Sequence, residues 1–169
     1  MKFKNMFSPI QIGPMTVKNR FVVPPMGNNF ANSDGTWSDE SVAYYGERAK
    51  GQFGLITIEA TVVHKGAKGG PKKPCLYDDN SIESLKKITD ACHEEGAKVS
   101  IQLQNAGPEG NAKNAGAPIQ AATAIASADG RDIPEAVPTE QVYELIKGYG
   151  DAAVRAMTVS YTHLTLPTT

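Results

Sequence analysis

The sequence predicts an α/β fold in which parallel strands alternate with helices. Three apolar runs, RFVVPPMG, GLITIEAT and KVSIQLQNAG, each end in a small or polar cluster. A loop and a helix follow each of the first two runs, and a long loop and a helix follow the third. Near-continuous apolar strands that alternate with helices are typical of a parallel sheet buried on both faces. We therefore expect about three βα units.

The composition is that of a globular protein and argues against several classes of function. Of the 169 residues, 40% are hydrophobic and 21% are charged, with a net charge of −1. Because no run of Lys and Arg is present, a nucleic-acid partner is not expected. The start MKFKNMFSPIQIGPM lacks the apolar core of a secretion signal, and no segment is long enough to span a membrane. Cys75 and Cys92 are too few for a disulfide framework, so we expect a cytoplasmic location, and they show no metal-ligand spacing, so we expect no metal site.

The first elements are predicted from alternation and from proline. Residues 7–17 alternate loosely around Gly13-Pro14, which predicts a short hairpin. The first strand of the sheet runs from about Arg20 to Val23 and ends at the following prolines, since proline cannot donate to a central ladder. A helix over residues 39–50 follows Ser38, which is a good N-cap with two acidic residues after it.

The second unit pairs a strand at about residues 53–58 with a helix at about residues 81–95. Asn80 is the expected start of the helix, with Glu83 placed to complete a capping-box-like arrangement. Gly96 is the expected end. The predicted apolar face of this helix comprises Ile82, Leu85, Ile88 and Cys92.

The third unit has a strand at about residues 98–103 and a helix at about residues 140–157. Between them, residues 104–138 are rich in Ala, Gly, Asn and Pro. A long loop after the carboxyl end of a strand favours an active-site loop. The predicted apolar face of the last helix comprises Val142, Leu145, Ile146 and Tyr149.

Residues 158–169, TVSYTHLTLPTT, break the βα pattern and are threonine-rich. We interpret them as a non-native-looking tail, similar to a translated sequencing adapter, after a truncated domain at residues 1–157. A genuine strand is the alternative, because VSYTHLTL has fair β propensity.

Residues 6 to about 157 resemble the Old Yellow Enzyme family of NADH:flavin oxidoreductases. The resemblance lies in FSPIQIGPMTVKNRFVVPPMG, ITIEAT and IQLQNAG, the segments that deliver flavin contacts in that family. It implies the N-terminal part of a TIM (β/α)8 barrel, with the hairpin flooring the barrel. Such a barrel needs eight βα units and about 250 residues, so we expect this chain to be a fragment that is inactive alone.

By the resemblance, five residues would contact FMN. Pro25 and Met26 would lie against the isoalloxazine ring, mainly through their backbone. Gly27 takes the place where many relatives carry a Thr or Cys that hydrogen-bonds the reacting edge of the flavin. Ala60 would present its backbone to the pyrimidine side, where a small residue permits close approach. Gln102 would pair with the pyrimidine ring.

Gln102 is the best supported of these residues. An unpaired amide inside an apolar strand is costly, whereas an amide offers the donor and the acceptor that a flavin pyrimidine requires. The alternative is a barrel-interior Gln satisfied by another side chain. After it the family commonly continues His-Ala-Gly-Arg, whereas this chain has Asn-Ala-Gly-Pro from Asn105.

Other polar residues in these segments are expected to be structural. Glu59 is predicted to be a buried carboxylate bonded to neighbouring backbone. His64 and the lysines at positions 65, 68, 72 and 73 are predicted to lie in a solvated loop. Trp37 and the tyrosines at positions 44 and 45 are predicted to pack in the core or anchor loops.

The implied parent moves hydride from NAD(P)H through FMN to an activated alkene or enone. Its substrate is a small molecule, and the full-length parent could be a homo-oligomer. Larger family members, such as 2,4-dienoyl-CoA reductases, add an iron–sulfur cluster further along the chain. No catalytic residue is identified in this sequence. A stand-alone α/β interaction or binding module without activity is the alternative.

Overall fold

An N-terminal hairpin precedes the sheet, as predicted. The structure is a computed structural model, and it describes residues 3–128 and 132–159. Strands β1 (Ile10–Ile12) and β2 (Met15–Val17) pair antiparallel around a turn at Gly13, whose φ of 56° lies in the left-handed region that favours glycine.

Three parallel strands in sequential order form the central sheet. They are β3 (Val22–Val23), β4 (Leu55–Val62) and β5 (Lys98–Gln104). Strand β3 is short because Pro24 follows it directly. Strand β4 extends further than predicted, because Thr61 and Val62 pair with Leu103 and Gln104 after an irregularity in the ladder. The parallel arrangement is therefore confirmed.

The first helix, α1 (Asp39–Lys50), begins as predicted. The hydroxyl of Ser38 accepts the backbone N–H of Ser41 at 3.2 Å, which satisfies one of the free donors of the first turn. The helix ends at Lys50, before Gly51.

Helix α2 (Ile82–Glu94) starts differently from the prediction. Asp78, not Asn80, supplies the cap: its side chain accepts the N–H of Asn80 and starts a 3₁₀ turn over Asp79–Ser81. The expected capping box was wrong because a 3₁₀ turn precedes the α-helix and moves its first turn along the chain. Gly96 ends the helix as predicted, with a φ of 71° and an N–H that donates to His93.

The main core lies between one face of the sheet and the helices. Alternate residues of β4 and β5 point toward the helices and are buried against them, namely Ile56, Ile58, Val99, Ile101 and Leu103. The opposite face begins with a row that includes the apolar Val22 and Leu55 and is polar beyond it, where the Thr57 and Ser100 hydroxyls lie 2.8 Å apart. Helices on a single face of a parallel sheet are the arrangement of a β/α barrel wall.

The segment after β5 is more ordered than a structureless loop. It contains a four-residue helix, α3 (Ala112–Ala115), and two short parallel strands, β6 (Gln120–Ala121) and β7 (Glu135–Ala136). Ile119 anchors this segment because its side chain is almost fully buried. The alanine and glycine content predicted a loop but not this small sheet.

The last helix, α4 (Thr139–Thr158), packs through only part of its length. Ala152 and Ala156 are buried against the sheet and α2, whereas Ile146 is 60% exposed and Val142 40% exposed. The predicted apolar face is therefore not buried at its N-terminal half. The described part of the chain holds three βα units of a barrel wall, and no further element there covers that face.

Thr158 ends α4, and Val159 after it is buried. The hydroxyl of Thr89 on α2 donates to the Val159 carbonyl at 3.1 Å. These contacts attach the first two residues of the predicted tail to the core. Residues 160–169 lie outside the described part of the chain.

Candidate functional site at the carboxyl edge of the sheet

The three parallel strands bring the predicted flavin-contacting residues to one edge of the sheet. Pro25, Met26 and Gly27 follow β3, whereas Ala60 lies near the end of β4 and Gln102 near the end of β5. Since the carboxyl ends of parallel strands meet at the same edge, all five residues lie on the side where β/α barrels place their chemistry.

A bulge in β4 sets the level of Ala60. Ile58 pairs with Ile101 and Thr61 pairs with Leu103, so Glu59 and Ala60 together lie opposite the single residue Gln102. Bulges occur next to active sites, where they redirect side chains. The bulge therefore places the small Ala60, with Glu59, opposite Gln102 in the ladder.

At this edge, Met26 has an exposed apolar side chain, and Gln102 has a side-chain amide without a hydrogen-bond partner among the described residues. The side chain of Met26 is 58% exposed although it is apolar. Gln102 is half-buried, and within residues 3–128 and 132–159 no hydrogen bond reaches its side-chain amide. The edge therefore combines apolar surface with a free donor and a free acceptor, which is what a planar heteroaromatic ligand requires.

Glu59 is a buried carboxylate bonded to backbone, as predicted. Its side chain is 0% exposed, and Oε2 accepts the N–H of Asn28 at 3.3 Å. The ammonium of Lys73 lies 3.9 Å from the same oxygen, while Oε1 has no hydrogen-bond partner in the described chain. Burial raises the pKa of Glu59, and the charge of Lys73 and the Asn28 N–H oppose that rise.

Tyr45 joins α1 to the bulge. Its phenol oxygen accepts the backbone N–H of Glu59 at 3.0 Å, and the side-chain amide of Asn28 donates to it at 3.5 Å. Burial is the main reason that the pKa of Tyr45 is raised, so the phenol is neutral. Core packing was predicted for this residue, whereas its hydrogen bond to the bulge depends on tertiary structure.

The ammonium of Lys73 occupies the space next to Gly27 that a side chain there would need. A Cβ built on Gly27 would lie 2.8 Å from the Lys73 ammonium and 3.7 Å from Glu59 Oε2. A side chain at position 27 and this placement of the ammonium therefore exclude each other. Lys73 was predicted to lie in a solvated loop, because no local pattern shows that the loop path brings it to Gly27.

The remaining polar residues near β4 are mostly structural. The Nδ1 atom of His64 accepts the N–H of Gly66 at 3.2 Å and caps a short 3₁₀ turn. The solvated-loop prediction was wrong for two lysines: Lys68 is buried and donates to the Ser33 carbonyl at 2.8 Å, and Lys73 is half-buried. Asn105 caps the turn that follows β5 by accepting the N–H of Gly107.

Residues 3–128 and 132–159 hold neither a metal-binding cluster nor a membrane-spanning helix. No group of three or more His, Cys, Asp or Glu side chains there is arranged to hold a metal ion. Among the helices described, none has both the length and the apolar character needed to cross a membrane.

Several solved structures share this fold. The chain matches 2-naphthoyl-CoA reductase, solved with 2-naphthoyl-CoA, at 27% identity and a TM-score of 0.91 over 97% of its length. It matches Old Yellow Enzyme from Pichia sp. AKU4542 at 30% identity and a TM-score of 0.86 over 96%. Morphinone reductase, at 24% identity and a TM-score of 0.86 over 98%, shares the fold. The matched portions make up 27%, 45% and 49% of those three chains.

These matches confirm the fold as part of an Old Yellow Enzyme type TIM barrel, with three parallel strands and no closed barrel in the described residues. A family model described as NADH:flavin oxidoreductase / NADH oxidase matches residues 5–162. That match reaches past residue 157 into the segment set apart as a tail. The chain therefore belongs to the NADH:flavin oxidoreductase / NADH oxidase family.

Proposed function

We propose that this chain supplies the first part of the flavin site in an FMN-dependent oxidoreductase, the complete protein being an eight-stranded barrel. Bound FMN would accept hydride from NAD(P)H and deliver it to an activated alkene or enone. The described residues contribute binding and orientation. None of them is assigned proton transfer.

The observation that carries the proposal is the free amide of Gln102 beside Ala60. Their juxtaposition, produced by the bulge, offers both hydrogen-bonding partners to the pyrimidine ring while leaving room for its edge. Pro25 and exposed Met26 supply apolar surface on the neighbouring strand end. This donor set fits a flavin ring.

The match to 2-naphthoyl-CoA reductase favours a CoA thioester of an unsaturated or aromatic acid as one substrate class for the complete enzyme. An iron–sulfur cluster has no ligand set among the described residues, so nothing in this part of the fold is assigned to one.

The test is the flavin content of the complete enzyme after Gln102→Ala. We expect FMN retention to fall by about tenfold, since a lost hydrogen bond of this kind is worth roughly 1.4 kcal/mol. Gln104→Ala is the matched control, because it removes the same side chain two residues along β5. Flavin content is read from absorbance after desalting, and thermal stability shows that both variants are folded. Equal flavin retention in both variants would remove Gln102 from the site.

A further inference from the structure

Lys73 lies at the carboxyl edge although it comes from the loop between β4 and α2. Its Nζ atom is 3.9 Å from Glu59 Oε2 and 2.8 Å from the place where a Cβ on Gly27 would stand. The side chain is 26% exposed, so the ammonium is partly shielded from water. It therefore stands directly over one of the predicted flavin-contacting residues.

The backbone around Lys73 is held to β4. The N–H of Val62 donates to the Pro74 carbonyl at 2.8 Å, and the N–H of Leu76 donates to the Val62 carbonyl at 2.8 Å. Pro74 also restricts the chain next to the lysine. The stem of Lys73 passes Gly70, whose built Cβ would lie 3.6 Å from the lysine Cγ. Strand β4 therefore fixes the backbone next to Lys73.

Much of the hydrogen-bonding capacity of Lys73 and Glu59 is not used within the described chain, although Glu59 Oε2 accepts the Asn28 N–H. At 3.9 Å the ammonium and Glu59 Oε2 attract each other but do not form a hydrogen bond, and no hydrogen bond from Lys73 is found among the described residues. Glu59 Oε1 is also without a partner there. An ammonium has three donors, so all three are free at this edge.

We propose that Lys73 is a cofactor-contacting residue whose ammonium, held over Gly27 by Glu59, faces the bound flavin and stabilises the negative charge of its reduced form. The inference rests on the proposed function, since it needs a flavin at this edge. Charge near the ring system is one of the means by which a protein tunes flavin electronics. Partial burial strengthens that effect because screening by water is reduced.

A purely structural role for Lys73 makes a different prediction. If the lysine only balances the buried charge of Glu59, its removal destabilises the fold and leaves the flavin potential unchanged. If it faces the flavin, removing Lys73 and removing the charge of Glu59 shift the potential in opposite directions. The sign of the two shifts therefore separates the two roles.

The experiment is a redox titration of the complete, FMN-loaded enzyme, followed by flavin absorbance. For Lys73→Met we expect the equilibrium constant for two-electron reduction to fall about tenfold, which is about 30 mV. Lys73→Arg should retain the potential, and Glu59→Gln should raise it. Lys72→Met is the matched control, because this adjacent lysine is exposed and its removal changes the charge equally.

A second pair of variants covers the case in which Lys73→Met fails to fold. Glu59→Gln removes the buried charge, so Lys73→Met can be introduced in that background without leaving an unpaired carboxylate. The double variant should lie about tenfold below Glu59→Gln in the same equilibrium constant.

Two outcomes overturn the inference, and they are distinguishable. A flavin-loaded Lys73→Met enzyme with the potential of the Lys72→Met control would show that Lys73 does not face the flavin, and the proposed function would stand. A complete enzyme that retains no flavin in its unsubstituted form would refute the proposed function and the inference with it.

Discussion

The phenol oxygen of Tyr45 accepts the backbone N–H of Glu59 at 3.0 Å, and this bond links α1 to the bulge of β4. The bond satisfies an N–H that the interrupted ladder leaves buried. Because Ala60 is the next residue along the bulge, the helix takes part in placing the candidate flavin site.

Tyr45→Phe should destabilise the chain by about 1–3 kcal/mol, since it leaves the buried Glu59 N–H without an acceptor. The measurement is the free energy of unfolding from denaturant titration. Tyr44→Phe is the matched control: the neighbouring phenol makes no hydrogen bond within the described residues, and we expect a change within about 0.5 kcal/mol. Equal losses in the two variants would show that the bond contributes nothing to stability.

Glu59 should make stability decrease with rising pH. Burial raises its pKa in the folded chain, with Lys73 and the Asn28 N–H only opposing the rise. The folded state therefore binds this proton more tightly than the unfolded state, whose value is near 4.5. Stability falls as pH increases from that value through the raised one.

Glu59→Gln should remove this pH dependence, because the amide does not ionise and still accepts the Asn28 N–H. Denaturant unfolding at a series of pH values from 4.5 upward would compare the variant with the unsubstituted chain. Glu40→Gln, at an exposed position of α1, controls for the loss of one charge. Parallel stability curves for the unsubstituted chain and Glu59→Gln would contradict the prediction.

Val159 should mark where the C-terminal segment ceases to contribute to stability. Val159→Ala is expected to cost about 2 kcal/mol, because it opens a cavity against α2. Val154→Ala, on the exposed side of α4, is the matched control and should cost little. Removal of residues 160–169 should change the free energy of unfolding by less than about 0.5 kcal/mol. A larger loss on that deletion would refute the tail interpretation.

The chain alone should bind FMN with a Kd above about 100 μM, which is weaker than about −5.5 kcal/mol. Three parallel strands provide one wall of the candidate site, whereas the barrel that the resemblance implies has eight. Flavin fluorescence quenching measures the affinity. Stoichiometric yellow protein with a micromolar or tighter Kd would show that this chain builds a working site.

Local patterns determined much of the fold. The apolar runs predicted three parallel strands, Ser38 predicted the start of α1, and Gly96 predicted the end of α2, because each depends on residues close in sequence. The family motifs lie on these same local segments, so the family could also be identified from them. The five flavin contacts stay predictions, now with a common location.

Tertiary structure alone decided the arrangement of charges and hydrogen bonds at the edge. Lys73 reaches Gly27 through a loop that is bonded to β4, and Tyr45 reaches the bulge from a helix. Such contacts join residues that are distant in sequence, and no local periodicity encodes them. Exposure of the N-terminal half of α4 has the same origin: amphipathic spacing shows which face of a helix is apolar, but neighbouring elements determine whether that face is covered.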